Sequence, residues 1–151
     1  QHNVTIWVND SANNQNSSRV SFTIDTIAPL VTIISPTNIT YATSTIYFNF
    51  TLNEAGSCQY SLNSGATNYT MTANSSNTGF NATNTSIADG SNTATAYCND
   101  TAGNKNYTTT KAFSKDTTFP LISFGTGTES NYANVSRNWT YVNVSFTESN
   151  P

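Results

Sequence analysis

The sequence predicts an all-β protein, a β-sandwich of short antiparallel strands repeated in tandem with a period of about 90 residues. Three observations predict it. Apolar and polar residues alternate with period two in many short runs. Turn-forming letters separate those runs. The same letters then recur, in the same order, further along the chain. No run combines helical periodicity with helix caps.

The first alternating pair is Val4, Ile6, Val8 and then Val20, Phe22, Ile24. The next clear strand carries Ile46, Phe48, Phe50 and Leu52, and a later one Ala94, Ala96 and Cys98. Val142, Val144 and Phe146 make the last. Alternation at period two sets every second side chain on one face, which marks a half-buried antiparallel strand. Asn, Asp, Gly and Ser at 53–56, 63–65, 88–92 and 100–104 supply the turns between strands.

The internal repeat sets the organisation. Asn9-Asp10-Ser11-Ala12 matches Asn99-Asp100-Thr101-Ala102 at an offset of 90. Asp25-Thr26 with Pro29-Leu30 matches Asp116-Thr117 with Pro120-Leu121 at an offset of 91. Phe48-Asn49-Phe50-Thr51 and Glu54 match Val142-Asn143-Val144-Ser145 and Glu148 at an offset of 94. Ordered matches with a slowly drifting offset are the mark of a tandem repeat with small loop insertions. The expected units are 1–25, the last two strands of one copy; 26–116, a complete copy; and 117–151, the first strands of the next. That phase implies a window on a longer array, or a subunit whose ends neighbours complete.

Composition narrows the class. Charged residues make up 9% of the chain and net charge is −3, against roughly 25% charged in an ordinary soluble domain. No basic surface exists for nucleic acid, and the low acid content argues against a salt-adapted intracellular protein. Polarity comes instead from 23 Asn and 46 Ser plus Thr. Eighteen aromatics are interleaved with them, which separates the chain from disordered low-complexity segments. No stretch reaches the ~20 apolar residues of a membrane span, so no membrane insertion is expected in this segment. Gln1 opens no signal peptide, and the long apolar N-terminal helix of type IV pilins is missing.

The segment ADGSNTATAYCNDTAGN at 88–104 resembles the penultimate-strand motif of bacterial and archaeal immunoglobulin-like surface repeats. In that family an Asp-Gly turn precedes an alternating strand ending in Asn-Asp-x-Ala-Gly-Asn. The junctions at 25–29 and 116–120 are similar to its Asp-Thr-x-x-Pro linkers. The resemblance implies an immunoglobulin-like sandwich with strand A near 30–34, B near 45–52, C near 58–62, one or two strands in 68–87, F near 93–98 and G near 107–113. Strands C and F would then be antiparallel neighbours, which implies a cross-strand disulfide between Cys58 and Cys98, the only cysteines. Two buried free thiols are the alternative. Val8 stands at the Cys98 position of the first copy, so a bridge in every repeat is not required.

Asn-x-Ser/Thr, the N-glycosylation acceptor, occurs at Asn3, Asn9, Asn16, Asn38, Asn49, Asn68, Asn74, Asn81, Asn84, Asn99, Asn106, Asn134, Asn138 and Asn143. Chance would place a Ser or Thr two residues after only about seven of the 23 Asn. Asn9 and Asn99, Asn16 and Asn106, and Asn49 and Asn143 are equivalent in the repeat. All six are expected to face outward, the last two from between inward apolar residues of strand B. Covalent N-glycans would solvate a surface short of charge.

No Ser-His-Asp order, metal-spaced cluster or glycine-rich phosphate loop accompanies the sole histidine, His2, so no enzyme is expected. Asp25, Glu54, Asp89, Asp100 and Asp116 fall in expected loops, where oxygen ligands can bind calcium; turn capping is the plainer reading. Tyr47, Tyr60, Tyr97 and Trp139 read either as a sugar-binding face or, more simply, as core and inter-domain packing. The expected function is structural: a segment of a heavily N-glycosylated extracellular filament or sheath on an archaeal cell surface, with its own copies as partners and no cofactor. The alternative is the stalk of an adhesin, or a module that binds a partner cell or polysaccharide.

Overall fold

The computed structural model of the chain describes residues 1–148, so residues 149–151, the end of the third expected unit, lie outside the described residues. The first stretch forms β1 (His2–Asn9) and β2 (Gln15–Phe22). The middle forms β3 (Val31–Ser35), β4 (Thr40–Tyr41), β5 (Ile46–Leu52), β6 (Gly56–Ser61) and β7 (Tyr69–Thr70). It continues through β8 (Thr72–Ala73), β9 (Gly79–Asn84), β10 (Gly90–Asp100), β11 (Lys105–Asn106) and β12 (Thr110–Lys115). The last stretch forms β13 (Leu121–Phe124) and β14 (Val144–Thr147). No helix among the described residues is long and apolar enough to cross a membrane.

The middle stretch folds as two sheets. One runs β3-β5-β9-β8 and the other β4-β12-β10-β6-β7, with β11 also on β10. With β3, β5, β9 and β8 as A, B, E and D, and β6, β10 and β12 as C, F and G, this is the strand order of an immunoglobulin-like sandwich. Three details differ from the sequence expectation. Residues 68–87 hold three strands, β7, β8 and β9, rather than one or two. After β3 the chain crosses to the second sheet, where β4 pairs in parallel with β12; two residues carry too little pattern to be read as a strand. Strand G begins at Thr110 rather than near 107. Residues 107–109 are Tyr-Thr-Thr and leave the ladder, touching it through Ala96 N–H donating to Thr109 O at 2.8 Å.

The core lies between the sheets because β5, β9, β10 and β12 turn their alternate apolar residues inward. Ile46, Phe48, Phe50, Phe80, Ala94, Ala96, Cys98 and Phe113 are all buried there. Phe48 stacks on Tyr60 with centroids 4.0 Å apart and meets Phe113 edge-on at 6.3 Å. Each buried phenyl contributes about 1.5–3 kcal/mol by leaving water. Among the described residues no buried side-chain nitrogen or oxygen lacks a hydrogen bond, so the apolar gain is not offset by stranded polar groups.

The two outer hairpins correspond in detail to parts of the sandwich. β1 and β2 pair from His2–Phe22 to Asn9–Gln15. In their turn Asp10 N–H donates to Asn14 O and Asn13 N–H to Asp10 O; after β10, Asp100 N–H donates to Asn104 O and Gly103 N–H to Asp100 O. Asp10 accepts from both the backbone and side-chain amides of Asn14, as Asp100 does from Asn104. Asn13 and Gly103 both take positive φ, 66° and 93°, the conformation that Gly and Asn adopt at least cost. β13 and β14 pair Ile122–Phe146, Ser123–Ser145 and Phe124–Val144. At the offsets found in the sequence, these are the partners Val31–Leu52, Thr32–Thr51 and Ile33–Phe50 of β3 and β5. The environments differ. Leu52 is 6% exposed and Phe146 75%. Ala94, Ala96 and Cys98 are buried, whereas Val4, Ile6 and Val8 are exposed.

Candidate functional surface: bridge, glycan acceptors and junctions

Cys58 of β6 and Cys98 of β10 are directly opposite partners, with Cα atoms 4.2 Å apart and their sulfurs bonded. The bridge ties adjacent strands C and F of one sheet, unlike the antibody bridge between sheets.

None of the 14 sequon asparagines is buried. Asn3, Asn9, Asn16, Asn38, Asn68, Asn74, Asn134 and Asn138 are exposed; Asn49, Asn81, Asn84, Asn99, Asn106 and Asn143 are half-buried. A glycan is carried on the carboxamide nitrogen, and the fold already uses that atom at some sites. Asn84 Nδ2 donates to Tyr60 Oη at 3.1 Å. Asn99 Nδ2 donates to Asp100 O at 3.0 Å, and Asn106 Nδ2 to Pro29 O at 3.0 Å. At Asn38, Asn68, Asn134 and Asn138 the structure gives the carboxamide no such partner among the described residues.

Two positions depart from the outward orientation expected of them. Asn106 sits opposite Cys98, in the inward-facing register, because the turn at 100–104 sets which face β11 presents. Asn143 precedes β14 rather than lying within it, and its side-chain Nδ2 turns back to donate to Thr126 O at 3.3 Å. Asn49 does lie between buried Phe48 and Phe50, directly opposite Asn81. Directly opposite Cβ atoms are roughly 5 Å apart, so two sugars there would occupy the same space.

The five acids divide between two tasks. Asp89 accepts from Lys115 Nζ at 2.7 Å and from Thr117 N–H at 2.8 Å. Lys115 first, then Thr117, holds its carboxyl far below the usual range. Because Thr117 begins the outgoing linker, this clamps the chain where it leaves the sandwich. Asp116 caps its own turn by accepting from Thr118 N–H, as Asp25 does from Ile27 N–H. The incoming linker is held by Asn104 Nδ2 on Asp25 O, Asn106 Nδ2 on Pro29 O, and Leu30 N–H on Asn53 Oδ1 at 2.7 Å. Here Asp25, Glu54 and Asp100 converge, with carboxylate oxygens within 4.8 Å of one another. Loss of water, then the charges of Asp25 and Asp100, raises the Glu54 pKa. Both Asp100 oxygens already accept from Asn104. The three carboxylates repel one another at the junction, as the raised Glu54 pKa reflects.

The four singled-out aromatics do not share a face. Tyr60 is buried between the rings of Phe48 and Tyr69. Tyr47 is exposed, with its hydroxyl on Asn81 Oδ1. Trp139 lies under the Arg137 guanidinium. Tyr97 pairs instead with Tyr107, centroids 4.9 Å apart. Tyr107 went unremarked in the sequence, although it and Tyr97 stand symmetrically about the turn at 100–104.

No family model matches the chain. Over 82 residues, 54% of its length, it is 40% identical to Halomucin of Haloquadratum walsbyi (strain DSM 16790 / HBSQ001), a stretch spanning 1% of Halomucin. The crystal structure of an engineered protein aligns over 58% of this chain and 20% of its own, with 17% identity and a TM-score of 0.47. Disulfides persist outside the reducing cytosol. The Cys58–Cys98 bridge and the likeness to Halomucin place this segment outside the cell, at the cell surface.

Proposed function

We propose that the chain is a structural segment of an N-glycosylated extracellular filament or sheath, built from sandwich units in tandem. Units 1–25, 26–116 and 117–151 are then parts of successive sandwiches, and each exposed hairpin face is covered by a neighbouring unit. One observation carries this reading. β1–β2 has the turn and apolar face of β10–β12, and β13–β14 has the register and apolar face of β3–β5. In the complete sandwich those two hairpins make one core, where Phe113 meets Phe48. Their equivalents, Phe22 and Val142, are 44% and 56% exposed. Exposed apolar faces of this extent mark interaction surfaces, and these two are complementary to each other.

The mechanism is mechanical. Each unit touches only its neighbours, and the clamps on both linkers stiffen the joints. Sugars on the outward asparagines would solvate the sides and discourage uncontrolled edge pairing. The test is sedimentation and electron microscopy of the whole chain. Concentration-dependent end-to-end species are expected, lost in Phe22→Asp and kept in Tyr47→Asp, whose side chain lies on an outer face. A monomer at every concentration would overturn the assembly. A second reading, a carbohydrate-binding module of an adhesin stalk, is favoured by a cleft beside Tyr97.

A further inference from the structure

Beside the Cys58–Cys98 bridge, an open cleft of about 570 Å³ runs between β6, the end of β10 and the segment from Asn68 to Phe80. Its floor is apolar, with Cys58, Met71 and Phe80. Its walls are amides and hydroxyls: Ser57, Gln59, Asn68, Thr70, Asn77 and Asn99. Tyr97 and Tyr107, rings tilted 44° to each other, close one side. Gly65 lets Tyr97 stand there, since a Cβ at that position would lie 2.4 Å from the tyrosine oxygen. Among the described residues no Asp, Glu, Lys, Arg or His lines the cleft, although the exposed Lys105 ammonium lies over the Tyr107 ring, 5.7 Å from its centroid.

This lining selects a ligand class. A cationic ligand would lose water and meet no opposite charge, and an anionic one would meet only the solvent-exposed Lys105 ammonium over Tyr107. A purely apolar ligand would strand the amides on the walls. A neutral sugar ring satisfies both requirements, because its hydroxyls pair with amides while its C–H face lies against an aromatic ring. We infer that the cleft is a binding site for an uncharged saccharide, with Tyr107 as the platform and Gln59 and Asn77 as hydrogen-bonding partners.

Two sources of such a sugar exist, and one lies within reach. Asn68 and Thr70, the first and third residues of one sequon, both line the cleft. Asn99 starts a second, but its carboxamide is engaged by Ser57 and Asp100. The nearby source is therefore a glycan on Asn68, folded back onto its own protein; this source rests on the glycosylation proposed above. The other source is a foreign polysaccharide, which does not depend on that proposal.

The experiment follows the Tyr97 and Tyr107 ring signals by NMR in two preparations of the whole chain, one made without glycosylation and one carrying its native glycans. The bare chain is titrated with chitotriose and with maltohexaose. Saturable shifts at both tyrosines are expected with at least one probe, weakened about tenfold in Tyr107→Ala and in Gln59→Ala. Both side chains are exposed at the surface, and unchanged melting temperatures separate lost binding from lost folding. If the glycosylated chain already shows the bound shifts, and Asn68→Gln restores titration, the resident sugar is the chain's own. If both preparations titrate alike, the site takes foreign sugar. If mass spectrometry finds Asn68 bare while the cleft still binds, the site stands and only its internal source falls. No shift with either probe, together with identical tyrosine signals in the two preparations, overturns the proposal.

Discussion

A single atom decides what each candidate asparagine can do. A sequon whose Nδ2 donates into the fold keeps one N–H when it carries a sugar, but the sugar must fit beside the partner already packed against that nitrogen. The structure therefore ranks acceptors that the motif treats as equal. Site-by-site mass spectrometry of native protein is expected to find Asn38, Asn68, Asn134 and Asn138 well occupied and Asn84 and Asn106 poorly occupied, with Asn49 and Asn81 never filled together on one molecule. Uniform occupancy would mean that transfer precedes folding. Two carboxylates make opposite predictions for pH. Asp89 has its pKa lowered by Lys115 and Thr117, so it stabilises the fold above about pH 4 and loses that contribution as pH falls. Asp89→Asn is expected to unfold more easily at neutral pH, with the gap closing in acid. Glu54 has its pKa raised by desolvation and by its acidic neighbours, so its ionised form opposes folding. Glu54→Gln is expected to raise the melting temperature above about pH 5 and to change nothing below about pH 4. Denaturant melts across that range check both signs.

Between residue and sandwich, the hairpins carry the recurrence. The turn of β1–β2 uses Asn13 where the turn after β10 uses Gly103, and a Cβ at Gly103 would meet no atom within 4 Å. Conformation rather than space therefore decides what is tolerated there. Gly103→Asn is expected to be nearly neutral, and Gly103→Val to cost about 1–2 kcal/mol more, as read by urea melts of the two variants. Gly56 is the opposite case. A Cβ there would lie 2.2 Å from Asn99 O, so any side chain pushes β6 away from β10. The hairpin strands were legible in the sequence because alternation depends only on local order. The two-residue strands β4, β7, β8 and β11 were not, since their pairing is chosen by neighbours distant in sequence.

At the scale of the molecule, one covalent bond spans the sheet that carries strands C, F and G. Cys58 and Cys98 are separated by 40 residues, and closing a loop of that length stabilises a domain by about 4 kcal/mol. Reduction, or Cys58→Ala with Cys98→Ala, is expected to lower the melting temperature of the sandwich by more than about 15 °C, measured by calorimetry with and without reductant. A shift of a few degrees would mean that the phenyl core holds the sheets without it. The sequence by itself determined the strand class, the recurrence and its offsets, the cysteine pair and the sequon positions, because each is written in residue type and spacing. Only the tertiary structure decided which asparagines keep a free amide, which acids meet, and that Tyr97 and Tyr107 share a cleft while Tyr60 is buried. Those outcomes depend on which strands pair and in what register. Register is a property of residues far apart in the chain, and a shift of one position would turn every side chain to the other face.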